Sequence, residues 1–446
     1  MVASMAPMAK RGKIVAGVVA ALLLGIALST VVGARAARTH YESDLARALA
    51  EAKRLHMPLT IGEVLSPEPP TEQNAGWIYL QAGNLLNHVL ADQQSAIETA
   101  MVRNPKPFEV VEGVAALQTV EPVFSLVDSA RGKPCVFPHK WSDGPEVSFP
   151  ELSRMKSIVR DLCFKARIEE QSGDWRASIE TLRLAEKVAR DAGTDPVMTS
   201  LFVRVSCETI VYNELYRLID REPHNPVFLE LVVGFTNQAA PLPNARFFFG
   251  GEIALNMWLL DNWNVLDADL DGNPNQPPPQ VSQRLIAHVP GARDEAKALV
   301  LTAWEATWRN LPSDPNDWDQ VANAITATKK VVASDHSAFS HIYELFGPWE
   351  NQPDLVLAVE AHRRVLRAVT AVLIQRNQTG ALPATLPSSL GVDAIDPFNH
   401  EPLRFVKAGS GFKVYSVGPD RVDNGGKERD PSQNEDQQYD IVLRVH

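Results

Sequence analysis

The stretch from Asp396 to Val445 sets the tightest limit on what this chain can fold into. Nowhere else do proline, glycine, aspartate and aromatic residues recur so densely at fixed offsets. Asp396-Pro397 opens a turn, because proline presets φ and removes a backbone donor. Leu403 to Val406 and Phe412 to Ser416 are short runs of β-formers, joined by the hairpin-type connection Ala408-Gly409-Ser410-Gly411. Gly418-Pro419-Asp420 and Asp423-Asn424-Gly425-Gly426 are further turn signals. Ile441, Leu443 and Val445 alternate with Val442 and Arg444, which suits a last strand. A small antiparallel sheet follows from this pattern, and the rest of the chain carries helical signals.

Upstream, Leu355, Val359, His362, Leu366, Val369 and Leu373 recur at helical spacing through Asn377. Gly380 can cap that helix, and Pro383 and Pro387 bar its continuation. This helix, Pro-rich connection and sheet together resemble the C-terminal half of the major pseudopilin of type II secretion systems. The matching residues are Asp396-Pro397-Phe398, Leu403-Arg404-Phe405, Tyr415 to Asp420 and the closing Asp440-Ile441. The resemblance implies a calcium site, with Ser416 and Asp420 as ligands and Asp440 closing it from the far end of the loop. Asp423 lies in the same loop and joins the expected metal set. Tyr439 stands where the family has one of two adjacent acids, and the loop from Arg421 to Gln438 is longer than the family's. The family's pilin methylation motif is absent before this unit, so the resemblance implies a borrowed fold rather than a pilus subunit. A hard cation takes six to eight oxygens. Asp420, Asp423, Asn424, Glu428, Asp430, Glu435, Asp436 and Asp440 could supply them, or could form a solvated acidic loop.

Ile14 to Val32 is an uncharged apolar run long enough to span a bilayer. Lys10, Arg11 and Lys13 precede it without an acid, which favours a cytoplasmic N-terminus, while Arg35 and Arg38 beyond it weaken the bias. Ala34-Arg35-Ala36 offers a small-residue cleavage site as the alternative to an uncleaved anchor. The expected layout is a cytoplasmic segment 1–13, an anchor 14–34, a helical extracytoplasmic domain 35–350 and a C-terminal module 351–446. In a bacterial host this is a single-pass protein of the cytoplasmic membrane, with most of the chain outside.

A formal net charge of −11 over 446 residues, without a basic patch interleaved with aromatics, argues against a nucleic-acid partner. Cys135, Cys163 and Cys207 are too few for a disulfide framework; Cys163 and Cys207 either pair or stay as buried thiols.

Between the anchor and the module, helical patterns dominate. Thr71 to Ala100 reads as one helix with Trp77, Leu80, Gly83, Leu86 and Leu90 on a face. Phe108 to Ala130 reads as another, followed by the Pro-rich loop Lys133 to Pro150, whose Cys135, Phe137 and Trp141 pin it to a core. Gly173-Asp174-Trp175, with Ala177, is similar to the junction of a tetratricopeptide-type hairpin. No second copy follows at that family's period, so a single hairpin is expected. Asp195 and Pro196 fit the N-cap and first position of the next helix. Gly250-Gly251 permits close packing in a helix from Asn244 to Trp263. Asp267 to Asn273 begins like an EF-hand loop, but Pro278 stands where the bidentate acid belongs. Trp304 and Trp308 form a stripe that suits a core.

The order of these pieces resembles a group of single-anchor bacterial envelope proteins without an assigned activity. The shared features are Glu72 to Ala75, Cys135 to Pro138, Gly173 to Trp175 and the C-terminal module. The chain shows no zinc-protease, nucleophile-elbow, Walker or Rossmann signature, and its eleven histidines are scattered, with His336 and His341 five apart. No catalytic or cofactor-binding residue is assigned. The fold class expected is mostly α: a transmembrane helix, a helical-hairpin domain and a small α+β module. The function expected is a structural or interaction role in the envelope, at the membrane and with an envelope protein as partner. The alternative is an extracytoplasmic hydrolase with its site between the helical domain and the sheet.

Overall fold

A computed structural model describes residues 8–88, 91–102, 105–239, 241–262, 291–314, 316–335, 352–428 and 439–446; the side chains of 8–28, 30, 31, 91 and 145 lie outside the description. In chain order the helices are α1 (Met8–Arg54), α2 (Ala75–Leu86), α3 (Ala91–Ala100), α4 (Pro107–Asp128), α5 (Pro150–Gln171) and α6 (Trp175–Asp191). They continue as α7 (Met198–Arg221), α8 (Pro226–Asn237), α9 (Ala245–Asp261), α10 (Ala292–Asn310), α11 (Trp318–Ser334) and α12 (Gln352–Thr379). Strands β1 (Arg404–Ala408), β2 (Gly411–Ser416) and β3 (Ile441–Val445) close the chain. Among the described residues the protein is therefore mostly helical with one small antiparallel sheet.

Contacts divide the chain into two units. One takes Met1–Pro58, Leu255–Arg309 and Ala327–Gly347; the other takes Leu59–Ala254, Asn310–Thr326 and Pro348–His446. In the first, Trp304 donates its indole N–H to Asn256 Oδ1 at 3.1 Å and Trp308 donates to the Leu55 carbonyl at 3.1 Å. Both indoles are buried, so the tryptophan stripe is core as its spacing predicts.

In the second unit, α5, α6 and α7 pack on one another. Gly173 turns the chain between α5 and α6 at φ +84°, a conformation that costs glycine little. Asp174 then accepts from the Ala177 N–H at 3.0 Å as the cap of α6, and the Trp175 ring packs 5.6 Å from Phe228 of α8. Arg167 of α5 meets Glu214 of α7 at 2.7 Å and donates to the Ala100 carbonyl at 3.1 Å, satisfying an acceptor at the end of α3. α4 is long and apolar enough to cross a membrane, but it packs on α2, α3 and α5 and buries Val120, Val123, Phe124 and Val127.

Two local expectations are corrected. Thr71 to Ala100 is not one helix: a turn at Asn87 and His88 ends α2, and α3 follows. The buried face of α2 is Ala75, Tyr79, Ala82, Gly83 and Leu86, while Trp77 stays half-buried with its indole on Glu68. Tyr79 takes the inward position because its hydroxyl finds a buried carboxylate there. Asp195 does not cap α7. That helix starts at Met198 after an extended Val197, and the Met198 N–H donates instead to Glu252 Oε1 of α9 at 2.7 Å. The close approach needs Gly251, where a Cβ would lie 1.6 Å from the Pro196 carbonyl oxygen.

The C-terminal elements follow the turn signals closely. β1 and β2 pair with Ala408 opposite Gly411, which leaves a two-residue hairpin, and β3 pairs antiparallel with the far edge of β2. Ile441, Leu443 and Val445 are buried and Arg444 is exposed. The Gly380 N–H returns to the Arg376 carbonyl at 2.8 Å at the end of α12. α12 packs on β2 and β3 and also on α7 and α8, so its buried surface is wider than one stripe, and Leu355 falls outside it.

Candidate functional site

The site is built on the Pro-rich loop after α4. Asn74 is fully buried and spends its whole carboxamide on local backbone. It donates to the Val136 carbonyl at 2.8 Å and accepts from the N–H groups of Val136 at 3.0 Å and Gly76 at 2.9 Å. The Ala75 N–H donates to the Pro134 carbonyl at 2.8 Å. The Glu72-to-Ala75 and Cys135-to-Pro138 motifs are thus paired with each other. The loop turns at Pro138, where the His139 N–H donates to the Phe137 carbonyl at 2.9 Å. Cys135 and Phe137 before the turn are buried, and the His139 side chain after it is nearly so.

His139 Nε2 lies 3.0 Å from Asp195 Oδ2 and 3.4 Å from Glu151 Oε1, and the three donor atoms are all within 4.8 Å of one another. Glu151 comes from the first turn of α5 and Asp195 from the link between α6 and α7. Their side chains are 2% and 4% exposed, against 9% for His139. The imidazole is wedged among Phe149, Trp141 and Phe137, with ring centroids 4.8, 5.5 and 5.8 Å away. Burial opposes a charge on His139, but its bond to Asp195 and its close approach to the Glu151 carboxylate outweigh it and lift the imidazole to about 9. Burial raises the Asp195 carboxyl, and its bond to His139 works the other way. Glu151 Oε1, although aimed at the ring nitrogen, accepts no hydrogen bond.

A second buried group lies one turn back along the chain. Tyr79 donates to Asp191 Oδ2 at 2.7 Å, and Lys187 bonds the same oxygen and the Lys133 carbonyl. Cys135 Sγ lies 3.9 Å from the Asp191 carbonyl and 3.7 Å from Thr194 Oγ1. Burial pushes this thiol far up, so it stays protonated and is poorly suited to act as a nucleophile. Cys163 and Cys207 are also free, buried thiols.

The four residues expected in a C-terminal metal site fall into separate arrangements. Asp420 and Asp440 meet at Asn424: Asp420 accepts from its side-chain amide at 2.9 Å, and Asp440 accepts from its backbone N–H at 3.2 Å. Asp440 also accepts from the N–H groups of Gly426 at 2.6 Å and Lys427 at 3.2 Å. Asp423 accepts from the Tyr415 hydroxyl at 3.0 Å and from Arg404 at 3.2 Å. Ser416 donates to Asp396 at 2.9 Å, and Asp396 also takes the Val417 N–H. Glu428 pairs with Arg444 at 2.9 Å. Asp430, Glu435 and Asp436 lie outside the described residues, as do the EF-hand-like run Asp267 to Asn273 and the pair His336 and His341.

The histidine–carboxylate group has no local spacing signature, because its members come from a loop, a helix start and an inter-helix link. The one usable signal was the cluster of Cys135, Phe137 and Trp141 in a Pro-rich loop, which marks a segment pinned to a core with His139 in its midst. Neither protein-family models nor characterised proteins nor solved structures give a match to this chain.

Proposed function

We propose that this protein is a membrane-anchored envelope protein whose helical region serves as an interaction scaffold outside the cytoplasmic membrane. The observation that carries the reading is the apolar run Ile14 to Val32, uncharged and preceded by Lys10, Arg11 and Lys13, within the continuous helix α1. At about 1.5 Å per residue the run is about 28 Å long, which suits a hydrocarbon core of roughly 30 Å. The rest of α1 continues beyond it, to Arg54. The basic cluster orients the N-terminus inward. A reporter active only in the cytoplasm, fused after Asp220, is expected to be silent, and one active only outside to be active. The reverse pattern would overturn the reading.

Calcium belongs to this proposal through the convergence of Asp420 and Asp440 on Asn424. The full chain should melt higher in millimolar calcium than in chelator, and Asp420→Ala should remove the gain. Equal melting temperatures in the two buffers would remove calcium from the reading.

A further inference from the structure

We propose that His139, Glu151 and Asp195 form a binding site for a divalent first-row transition-metal ion, with zinc as the representative ion. Three features of the geometry carry this. First, two of the three donor separations match a metal site, and the third lies within 4.8 Å. Ligands about 2.0–2.1 Å from a tetrahedral zinc stand about 3.3 Å apart, and His139 Nε2 lies 3.0 and 3.4 Å from its two carboxylate partners. Second, the site contains an unanswered acceptor. A ring nitrogen carries at most one proton and can serve one carboxylate well, here Asp195. Glu151 Oε1 is buried, faces the same nitrogen and accepts no hydrogen bond. Buried carboxylate oxygens are rarely left so, and a cation that takes the place of the His139 Nε2 proton, which is released to solvent, would satisfy both acids at once. Third, the donor set selects the ion. One imidazole nitrogen with two carboxylate oxygens suits zinc and its neighbours, whereas calcium takes six to eight oxygens.

The ligands are held before any ion arrives. The His139 ring is fixed by three aromatic neighbours, Glu151 by the first turn of α5, and Asp195 by a link whose carbonyl accepts the Val197 N–H at 2.9 Å. Three protein donors leave a further coordination position to a small ligand such as water. The ion would tie the loop after α4 to the start of α5 and to the α6–α7 link, three segments distant in the chain. Its expected consequence is structural: it locks the pairing of the Asn74 and Val136 segments onto the helical hairpin.

The test uses the full chain in detergent, stripped with chelator and titrated with zinc chloride. Wild type should take up one tight equivalent of zinc and melt higher with it. Glu151→Gln keeps the shape of the side chain but gives up its charge contact with His139, so it should fold and melt somewhat below wild type in zinc-free buffer. It should bind zinc about 100-fold more weakly or worse and lose the thermal gain, while Asp420→Ala should keep both. Cobalt gives a readout that needs no variant, since visible absorption of a four- or five-coordinate ion should appear in stripped wild type and be displaced by zinc. The proposal is overturned if stripped wild type binds no zinc, if Glu151→Gln binds it equally, or if cobalt produces no such band.

Discussion

Asp161 sits on the buried side of α5 at 5% exposure, beside Arg160 and Glu98. Burial raises its carboxyl to about 7; Arg160 opposes the rise and Glu98 adds to it. The sign of the consequence is fixed by linkage. Below about pH 4 the carboxyl is protonated in both folded and unfolded chains, so it costs nothing. Between about pH 4 and 7 the unfolded chain releases a proton that the folded one retains, and stability falls as pH rises. Above about 7 the penalty is constant, at most about 4 kcal/mol for a shift of roughly three units. Asp161→Asn should therefore match wild type near pH 4 and exceed it at pH 8, by an amount that grows across that window. Denaturant unfolding at a series of pH values measures this. Other buried acids titrate in the same range, Glu252 among them, but they are common to both proteins and cancel in the difference. Parallel stability curves would mean that Asp161 ionises in the fold without cost.

At the scale of elements, the start of α7 is set by α9 rather than by its own sequence. Alanine is ordinarily about 1 kcal/mol better than glycine inside a helix. At Gly251 the added Cβ would sit 1.6 Å from the Pro196 oxygen, a backbone atom that cannot swing aside. Gly251→Ala should cost roughly 1–3 kcal/mol, as overpacking does, and should weaken the bond from Met198 to Glu252. Gly234→Ala in α8 meets only the Arg183 guanidinium at 3.4 Å and should be neutral or stabilising. Thermal melts of the two variants should move in opposite directions; a shared direction would show that helix propensity, not packing, decides both. The same contrast explains what could be read in advance. β1, β2 and β3 were legible because proline and glycine punctuate them locally and their side chains alternate. The start of α7 was not, since Asp195-Pro196 has the form of a cap and first turn. A histidine 56 residues earlier claims that carboxylate, and an acid 54 residues later than Met198 supplies the cap. Gly83 and Leu86 of the expected α2 face are buried, but Tyr79, drawn in by Asp191 112 residues away, takes the inward place expected of Trp77. The histidine–carboxylate group was illegible as a whole, because every distance that defines it is a tertiary one.

At the scale of the molecule, the question is whether the C-terminal helix and sheet stand alone. The dense turn signals of the C-terminal sequence lead to the expectation of a separate module there. The packing argues otherwise. α12 lies against β2 and β3 but also against α7 and α8, and β3 itself contacts α7. Tyr216 of α7 donates its hydroxyl to the His362 carbonyl at 2.8 Å, with the two rings 5.3 Å apart. Burial lowers the His362 imidazole to about 4, so it is kept neutral at this contact. Cut out as residues 352–446, the segment would expose the α12 surface that now meets α7 and α8, and would keep only three short strands to bury the rest. The isolated fragment should therefore show helical far-ultraviolet signal at most, without near-ultraviolet signal or a cooperative melt. Adding residues 59–254 and 310–326 back in the full chain should restore both. A fragment that melts cooperatively by itself would instead establish an autonomous module, and the contacts with α7 and α8 would then be docking rather than folding contacts.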